Sequence, residues 1–324
     1  MRFIIYGIGA VGGPIAVRLA QHGSEVVAIA RGDHARVVAA DGLRLETPDE
    51  TVYARMPVVT DPAEIAFRPD DVVLLCVKTQ DTAAVLDRLA AVMPWDTPVV
   101  CAQNAVCNEP EALRLFPNVY GMNMMIIGTH VTPGVVQVFT SPCNGILDVG
   151  RYPAGVDATA SAISAAFATA GFESVPQTDI MRWKYGKLLL NLVNACEVAV
   201  GPGFGYDAAF RAARAEGEQV LRAARIPFSS RQEDAERRGE LLQVRTIGGQ
   251  DRGGASTWQS LERGLGSVET DYLTGEIVLL GRLHGIPTPI NGFLQRFVHR
   301  VLRGEATAGS YTNDSLLAAI GDGA

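Results

Sequence analysis

The chain is poor in the residues that build metal or disulfide frameworks. Its 324 residues include five cysteines and five histidines. Cys76, Cys101, Cys107, Cys143 and Cys196 are odd in number, never spaced C-x-x-C and mostly set in apolar runs, which argues against a disulfide or zinc framework and for a reducing, cytoplasmic setting. His22, His34, His130, His284 and His299 lack ligand spacing, so no metal is expected. No run of like charges occurs, and at a formal net charge of −7 a general nucleic-acid binder is not expected. No stretch approaches the roughly 18 consecutive apolar residues of a membrane span. Arg2 and the apolar residues 3–17 have the outline of a secretory signal, but Gly7, Gly9, Gly12, Gly13 and Pro14 would break its hydrophobic helix. Internal repeats and low-complexity tracts are missing as well. What remains is a chain 48% hydrophobic, long enough for two domains.

Short β-branched runs at 3–6, 25–30, 71–77, 98–102 and 118–122 alternate with alanine-rich helical patterns. Such runs, bounded by turn residues, predict a parallel sheet covered on both faces. Residues 120–149, dotted with Gly, Pro and Thr, predict further strands with a hairpin near Thr132-Pro133-Gly134, followed by a helix over 156–170 and a short strand at 172–175. After Pro176 the strand signal fades, and helical patterns cover 179–200, 208–224, 232–245, 270–284 and 291–302. The expected fold is therefore α/β, with an N-terminal Rossmann-type dinucleotide-binding domain over 1–177 and an all-helical C-terminal domain over 178–310. Residues 311–324 read as a polar tail.

The first strand runs into Gly7-Ile8-Gly9-Ala10-Val11-Gly12, and a helical pattern follows. This is G-x-G-x-x-G in the strand-turn-helix context its chemistry requires. Gly7 permits the tight turn, Gly9 lets the backbone approach a pyrophosphate, Gly12 lets helix pack on strand, and the N–H groups around Ala10 and Val11 face the phosphates. Folds that prefer NAD usually end the second strand in an acid, about 20 residues on. Here that strand ends in Ala30-Arg31, and a guanidinium suits the 2′-phosphate of NADPH. The alternative is that Arg31 is a solvated turn residue and that Asp33 or Glu25 does the reading.

Ligands of doubly wound sheets sit outside the carboxyl ends of the strands. Two strands end there in polar residues, at Lys78 and at Gln103-Asn104. Lys78 and Asn104 are accordingly candidates to touch cofactor or substrate, with loop solvation as the alternative. Further on, Lys184, Lys187, Asn191 and Asn194 are spaced three, four and three apart on an otherwise apolar helix, a polar stripe that suits a cleft wall. Of the two lysines, Lys184 lies nearer the helix start, where its charge is expected to reach water. Ser256, Thr257 and Glu269 supply polar partners, although helix capping would explain them too.

These blocks together resemble the ketopantoate reductase (2-dehydropantoate 2-reductase) family over nearly the whole chain. The resemblance rests on Gly7-x-Gly9-x-x-Gly12, Arg31, Val77-Lys78, Gln103-Asn104, Lys187-Leu188-x-x-Asn191 and Glu269-x-Asp271-Tyr272-Leu273-x-Gly275, with 285–289 beyond. It implies NADPH-dependent reduction of a 2-oxo acid to a 2-hydroxy acid, between a Rossmann and a helical domain. Lys187 matches the catalytic lysine, Asn191 the first asparagine of the stripe, Asn104 the asparagine of a Q-N-G block and Glu269 a substrate-side glutamate; a competing alignment, which matches Trp183 to a tryptophan near that lysine, gives the role to Lys184 instead. Three blocks depart from the pattern. The second stripe asparagine falls at Ala195, with Asn194 one position off; the Q-N-G glycine is Ala105; and S-S-M-x-Q-D is replaced by Ser256-Thr257-Trp258-Gln259-Ser260-Leu261, so that either Ser256 or Thr257 meets the substrate carboxylate. Trp258 and the missing acid suggest a remodelled pocket. The most favoured substrate is 2-dehydropantoate, with a paralogue acting on another 2-oxo acid and a non-catalytic NADP sensor as alternatives. The expected partner is a small molecule, without nucleic acid or membrane, and a homodimer is compatible with all of this.

Overall fold

A computed structural model describes residues 1–203, 207–264 and 266–322. The chain divides into two compact units. The first comprises Met1–Gln103, Cys107–Lys184 and Arg231–Arg252; the second comprises Asn104–Val106, Tyr185–Ser230 and Gly253–Ala324.

In the first unit a seven-stranded sheet is built from β1 (Arg2–Tyr6), β2 (Glu25–Ile29), β5 (Val58–Val59), β6 (Asp71–Leu75), β7 (Val99–Cys101), β8 (Val119–Met125) and β12 (Ile146–Arg151), in the order β12-β8-β7-β6-β1-β2-β5. All neighbours are parallel except β12, which runs antiparallel to β8. The two-residue period of a strand sends alternate side chains to opposite faces. Thus Phe3 and Ile5 enter one apolar core while Ile4 and Tyr6 enter the other. Helices α1 (Gly12–Gln21), α2 (Gly32–Asp41), α3 (Thr82–Ala90), α4 (Asn108–Leu113) and α5 (Ala158–Thr169) complete the doubly wound pattern.

A second sheet of four strands, in the order β4-β3-β10-β9, joins β3 (Leu43–Glu46) and β4 (Thr51–Ala54) to the expected hairpin of β9 (Gly128–Thr132) and β10 (Val135–Val138). The sequence gives little warning of β3 and β4, because four residues of alternation are too few to set a period. Residues 172–175 form no strand; Glu173 and Pro176 make only isolated bridges to Ile146 and Val149. The expected helix over 232–245 also stops early. Helix α9 (Arg231–Arg238) ends before Gly239, and β13 (Leu242–Val244) pairs with β11 (Thr140–Pro142), so residues 231–252 return to the first unit.

The second unit is built of helices. Helix α6 (Ile180–Asn191) gives way after Leu192 to α7 (Val193–Val200), followed by α8 (Asp207–Ala223), α10 (Ser256–Glu262), α11 (Thr274–His284), α12 (Pro289–Leu302) and α13 (Asn313–Asp322). Helix α13 replaces most of the expected polar tail. Thr312 and Ser315 exchange side-chain and backbone hydrogen bonds at its start, and Leu316 and Ile320, one turn apart, enter the core with Leu294 and Phe297. Leu317 packs against the same core and Asn313 Oδ1 accepts from the Ala209 N–H at 3.0 Å, so the short apolar run 316–320 docks a helix within a stretch expected to be a polar tail. Among the described residues no helix is long and apolar enough to cross a membrane.

Candidate active site

The Gly-rich turn has the geometry of a phosphate cradle. Gly7 adopts φ +95°, a left-handed conformation open to glycine, and its N–H donates to the carbonyl of Ile29 at 2.9 Å. A Cβ on Gly12 would lie 2.1 Å from the Gly7 carbonyl oxygen and 2.8 Å from Cys76 Cβ, so only glycine lets α1 approach β1 and β6 this closely. A Cβ on Gly9 would meet nothing within 4 Å, leaving open space beside the turn. The α1 N-terminus has no capping side chain and no acid in its first turn, so its N–H groups are available to an anion around Ala10 and Val11. A dinucleotide pyrophosphate fits this set of features.

Arg31 takes the N-cap position of α2, with its side chain 79% exposed and its guanidinium 3.9 Å from the Asp81 carboxylate. Asp81 ends the 3₁₀ turn Thr79–Asp81, which Lys78 precedes as N-cap, so the fold brings the Arg31 and Lys78 segments together. Beneath them lies a buried polar network that sequence reasoning missed. Gln103 Nε2 donates to the Val77 carbonyl at 3.1 Å and to Thr82 Oγ1 at 2.7 Å, and Thr82 Oγ1 donates to Asn108 Oδ1 at 2.8 Å. This ties the carboxyl ends of β6 and β7 together, the place from which Lys78 and Asn104 emerge.

Lys184 belongs to this network and overturns its expected place in water. It is 2% exposed, forms an ion pair with Glu109, and donates to the Gln103 carbonyl at 2.9 Å. Burial pushes the Glu109 carboxyl above its usual range, against the opposing pull of the Lys184 charge. A signal was present in the sequence: the chain has three lysines against 25 arginines, and the three are Lys78, Lys184 and Lys187.

The remaining candidates lie in the second unit. Lys187 and Asn191 occupy the last turns of α6, and Asn194 the first turn of α7; Asn194 is buried and the other two are partly so. The buried Nδ2 of Asn191 has no hydrogen-bond partner, a donor waiting for an acceptor. One turn beyond Asn194, the buried Glu197 carboxylate accepts from the N–H of Ala255 at 2.9 and 3.0 Å. Glu197, absent from the sequence-based candidates, thereby fastens the segment starting Ser256-Thr257 beside the stripe; Ser256 is partly exposed and Thr257 buried. Trp258 packs by Gly254 and Gly309, where added Cβ atoms would meet it. Glu269 is 6% exposed and opens the 3₁₀ turn Glu269–Tyr272, whose cap position is Val268, so it is no N-cap. Asn104 belongs to this unit and is partly exposed.

A doubly wound unit with a Gly-rich turn, followed by a helical unit, is the architecture this chain shares with oxidoreductases of the C=O/CH–OH class. Residues 3–154 match the family model "Ketopantoate reductase PanE/ApbA", and residues 179–302 match that of its C-terminal part. The chain belongs to the ketopantoate reductase family. It is 28% identical over 309 residues to the 2-dehydropantoate 2-reductase of Halobacterium salinarum, covering 90% of this chain and 95% of that one. With the enzyme of the same name from Caulobacter vibrioides it shares 29% identity over 302 residues, again covering 90% and 95%. Among solved structures, a PanE/ApbA family ketopantoate reductase from Ralstonia eutropha superposes with a TM-score of 0.79 at 29% identity, covering 94% of this chain and 99% of that one. D-mandelate dehydrogenase, solved with NADH and anilino(oxo)acetate, shares the fold at a TM-score of 0.79 and 22% identity over 94% of this chain and 99% of that one.

Proposed function

We propose that this protein catalyses the NADPH-dependent reduction of a 2-oxo acid to a 2-hydroxy acid, with 2-dehydropantoate as the first substrate to test. The observation that carries this reading is the unpartnered, buried Asn191 Nδ2 one turn from Lys187, on a helix of a chain that uses lysine only three times. A buried donor without a protein partner suits a ligand's acceptor oxygen. The family assignment supplies the reaction class.

The bound dinucleotide supplies the hydride. The work of this chain is to bind and orient the oxo acid and to manage charge and proton at its carbonyl oxygen. In this reading the Lys187 ammonium donates a hydrogen bond to that oxygen, stabilises the negative charge that grows there and delivers the proton. Asn191 and Asn194 orient the substrate, Ser256 or Thr257 holds its carboxylate, and Glu269 keeps Lys187 protonated. Gly7, Gly9, Gly12, Ala10 and Val11 serve the pyrophosphate, Arg31 the 2′-phosphate, and Lys78 and Asn104 the ribose and nicotinamide side. The odd cysteine count and the burial of Cys101, Cys143 and Cys196 accord with a cytoplasmic location.

A second substrate is favoured by specific departures in the pocket. Ala105 stands where the family has glycine, and the acid of the family's serine-rich block is missing from residues 256–261 in either of its two alignments, so another 2-oxo acid is the competing choice. The test is a panel of 2-oxo acids, each offered with NADPH and with NADH while the reduced nicotinamide absorbance is followed. Fastest turnover of 2-dehydropantoate with NADPH is the expected result. Preference for a different acid selects the paralogue, and nucleotide binding without turnover of any acid selects a sensor and sinks the enzymatic reading.

A further inference from the structure

We propose that His34 is a positioning residue for the dinucleotide, acting through the carbonyl of Ile8 in the Gly-rich turn. This rests on the nucleotide reading of that turn and adds to it the residue that holds its shape.

His34 lies in the first turn of α2, three residues after Arg31, and its Nε2 is 3.0 Å from the Ile8 carbonyl oxygen. A carbonyl only accepts, so the ring carries its proton on Nε2. On the other side, the backbone N–H of Gly134 donates to His34 Nδ1 at 3.0 Å, so Nδ1 is unprotonated. Two backbone groups with fixed roles therefore impose the neutral ring in one tautomer. His130 closes the arrangement, its Nε2 at 3.2 Å from the same Nδ1 and its ring centroid 4.3 Å from that of His34. Burial lowers the His34 pKa, in keeping with the neutral form.

The ring thus links the Gly-rich turn to the β9–β10 hairpin of the second sheet, and other contacts converge there. A Cβ on Gly13 would lie 2.8 Å from both the Ile8 oxygen and Val136 of β10, a Cβ on Gly128 of β9 would lie 2.5 Å from the Ala10 oxygen, and one on Gly134 would lie 2.6 Å from Val37 of α2. Gly13 and Gly128 let the hairpin close on the turn from Ile8 to Ala10, Gly134 lets it close on α2, and His34 supplies the hydrogen bond. The device spans the two parts of a dinucleotide site: the turn that meets the pyrophosphate and the helix start that carries Arg31. Holding the turn in its binding shape lowers the ordering cost of binding.

Glutamine reproduces the Nε2 end of histidine and asparagine the Nδ1 end, so the bond to Ile8 can be separated from the bond to Gly134. The purified protein is titrated with NADPH and with NADH, following nicotinamide fluorescence, as wild type and as His34→Ala, His34→Gln and His34→Asn; melting curves and the KM of the oxo acid at saturating nucleotide are recorded alongside. The expected result is a nucleotide Kd about tenfold higher in His34→Ala and His34→Asn, roughly one well-made hydrogen bond, with His34→Gln close to wild type. The oxo-acid KM stays unchanged. Wild-type Kd in His34→Ala overturns the proposal, as does equal weakening in all three variants or a loss that merely follows Tm. If His34→Ala does not fold, the contrast between the Gln and Asn variants decides. A wild-type protein that prefers NADH removes the NADPH reading and leaves the His34 ratios meaningful; one that binds neither nucleotide overturns both.

Discussion

Lys184 and Lys187 lie one turn apart on α6, yet they fall in different units and in different surroundings. Lys184 is an interior ion of the first unit, neutralised by Glu109 and hydrogen-bonded to a strand-end carbonyl. Lys187 belongs to the second unit, partly exposed and one turn before the unsatisfied Asn191 amide. Spacing on a helix wheel makes them equivalent. Their difference lies in what each faces: Lys184 meets a buried carboxylate, whereas Lys187 lies one turn from a buried amide donor that has no hydrogen-bond partner.

The sharpest way to break this comparison is to remove each lysine in turn. Lys187→Ala is expected to lower turnover by about 10²–10⁴, the usual cost of a lost general acid, with nucleotide Kd and Tm close to wild type. Normal turnover in that variant would transfer the role elsewhere.

Lys184→Met is expected to act on stability instead, costing about 3–5 kcal/mol because Glu109 is left as an uncompensated buried charge. Urea unfolding measures the loss, and Lys184→Met combined with Glu109→Gln should recover much of it. The variant also carries a pH signature. Without Lys184 the Glu109 pKa rises further, and a carboxyl whose folded pKa exceeds its unfolded value contributes stability below the unfolded pKa and loses it as pH rises through the folded pKa. The deficit of Lys184→Met should therefore be smallest in acid and grow toward neutrality. A deficit independent of pH would mean that Glu109 is not the cause.

The comparison extends to the two kinds of ligand site. Arg31 is exposed and contributes little to the fold, so Arg31→Asp should leave Tm alone while shifting the NADPH-to-NADH preference by about ten- to a hundredfold, the worth of a charge-assisted hydrogen bond. An unchanged ratio would show that the 2′-phosphate is read by another group.

The smallest effect separates the units themselves. Burial pushes the Cys196 thiol up to about 12 and Cys101 well above its ordinary value, so both should resist alkylation in the native protein at neutral pH. Cys101 lies in the first unit beside Lys184, and Cys196 in the core of the second. In Lys184→Met, labelling should rise at Cys101 before Cys196, as read by mass spectrometry of the digested protein. Equal rises would mean that the units unfold together.

Much of the first unit was legible because its signals are local. The Gly7-Ile8-Gly9-Ala10-Val11-Gly12 turn, the runs that became β1, β2, β6, β7 and β8, and the hairpin at Thr132-Pro133-Gly134 each declare themselves within a few residues. Strands β3, β4 and β13 were illegible because three or four residues carry no reliable period, and α13 because its apolar run of 316–320 is also short. Candidate residues separate in the same way. Helical spacing placed Lys187, Asn191 and Asn194 along one stretch, whereas Glu197, His34, Gln103 and the Lys184–Glu109 pair meet partners 21 to 100 positions away.

By itself the sequence determined the α/β class, the nucleotide turn, the helical nature of the second unit and the polar stripe, since these follow from backbone conformational preferences and residue periods along the chain. The tertiary structure decided that Lys184 is an interior ion, that His34 is held as one neutral tautomer, and that residues 231–252 return to the first unit. Such outcomes depend on which charge, carbonyl or strand edge the fold brings alongside, and the free energy of a buried polar group is set by that neighbour rather than by its place in the chain.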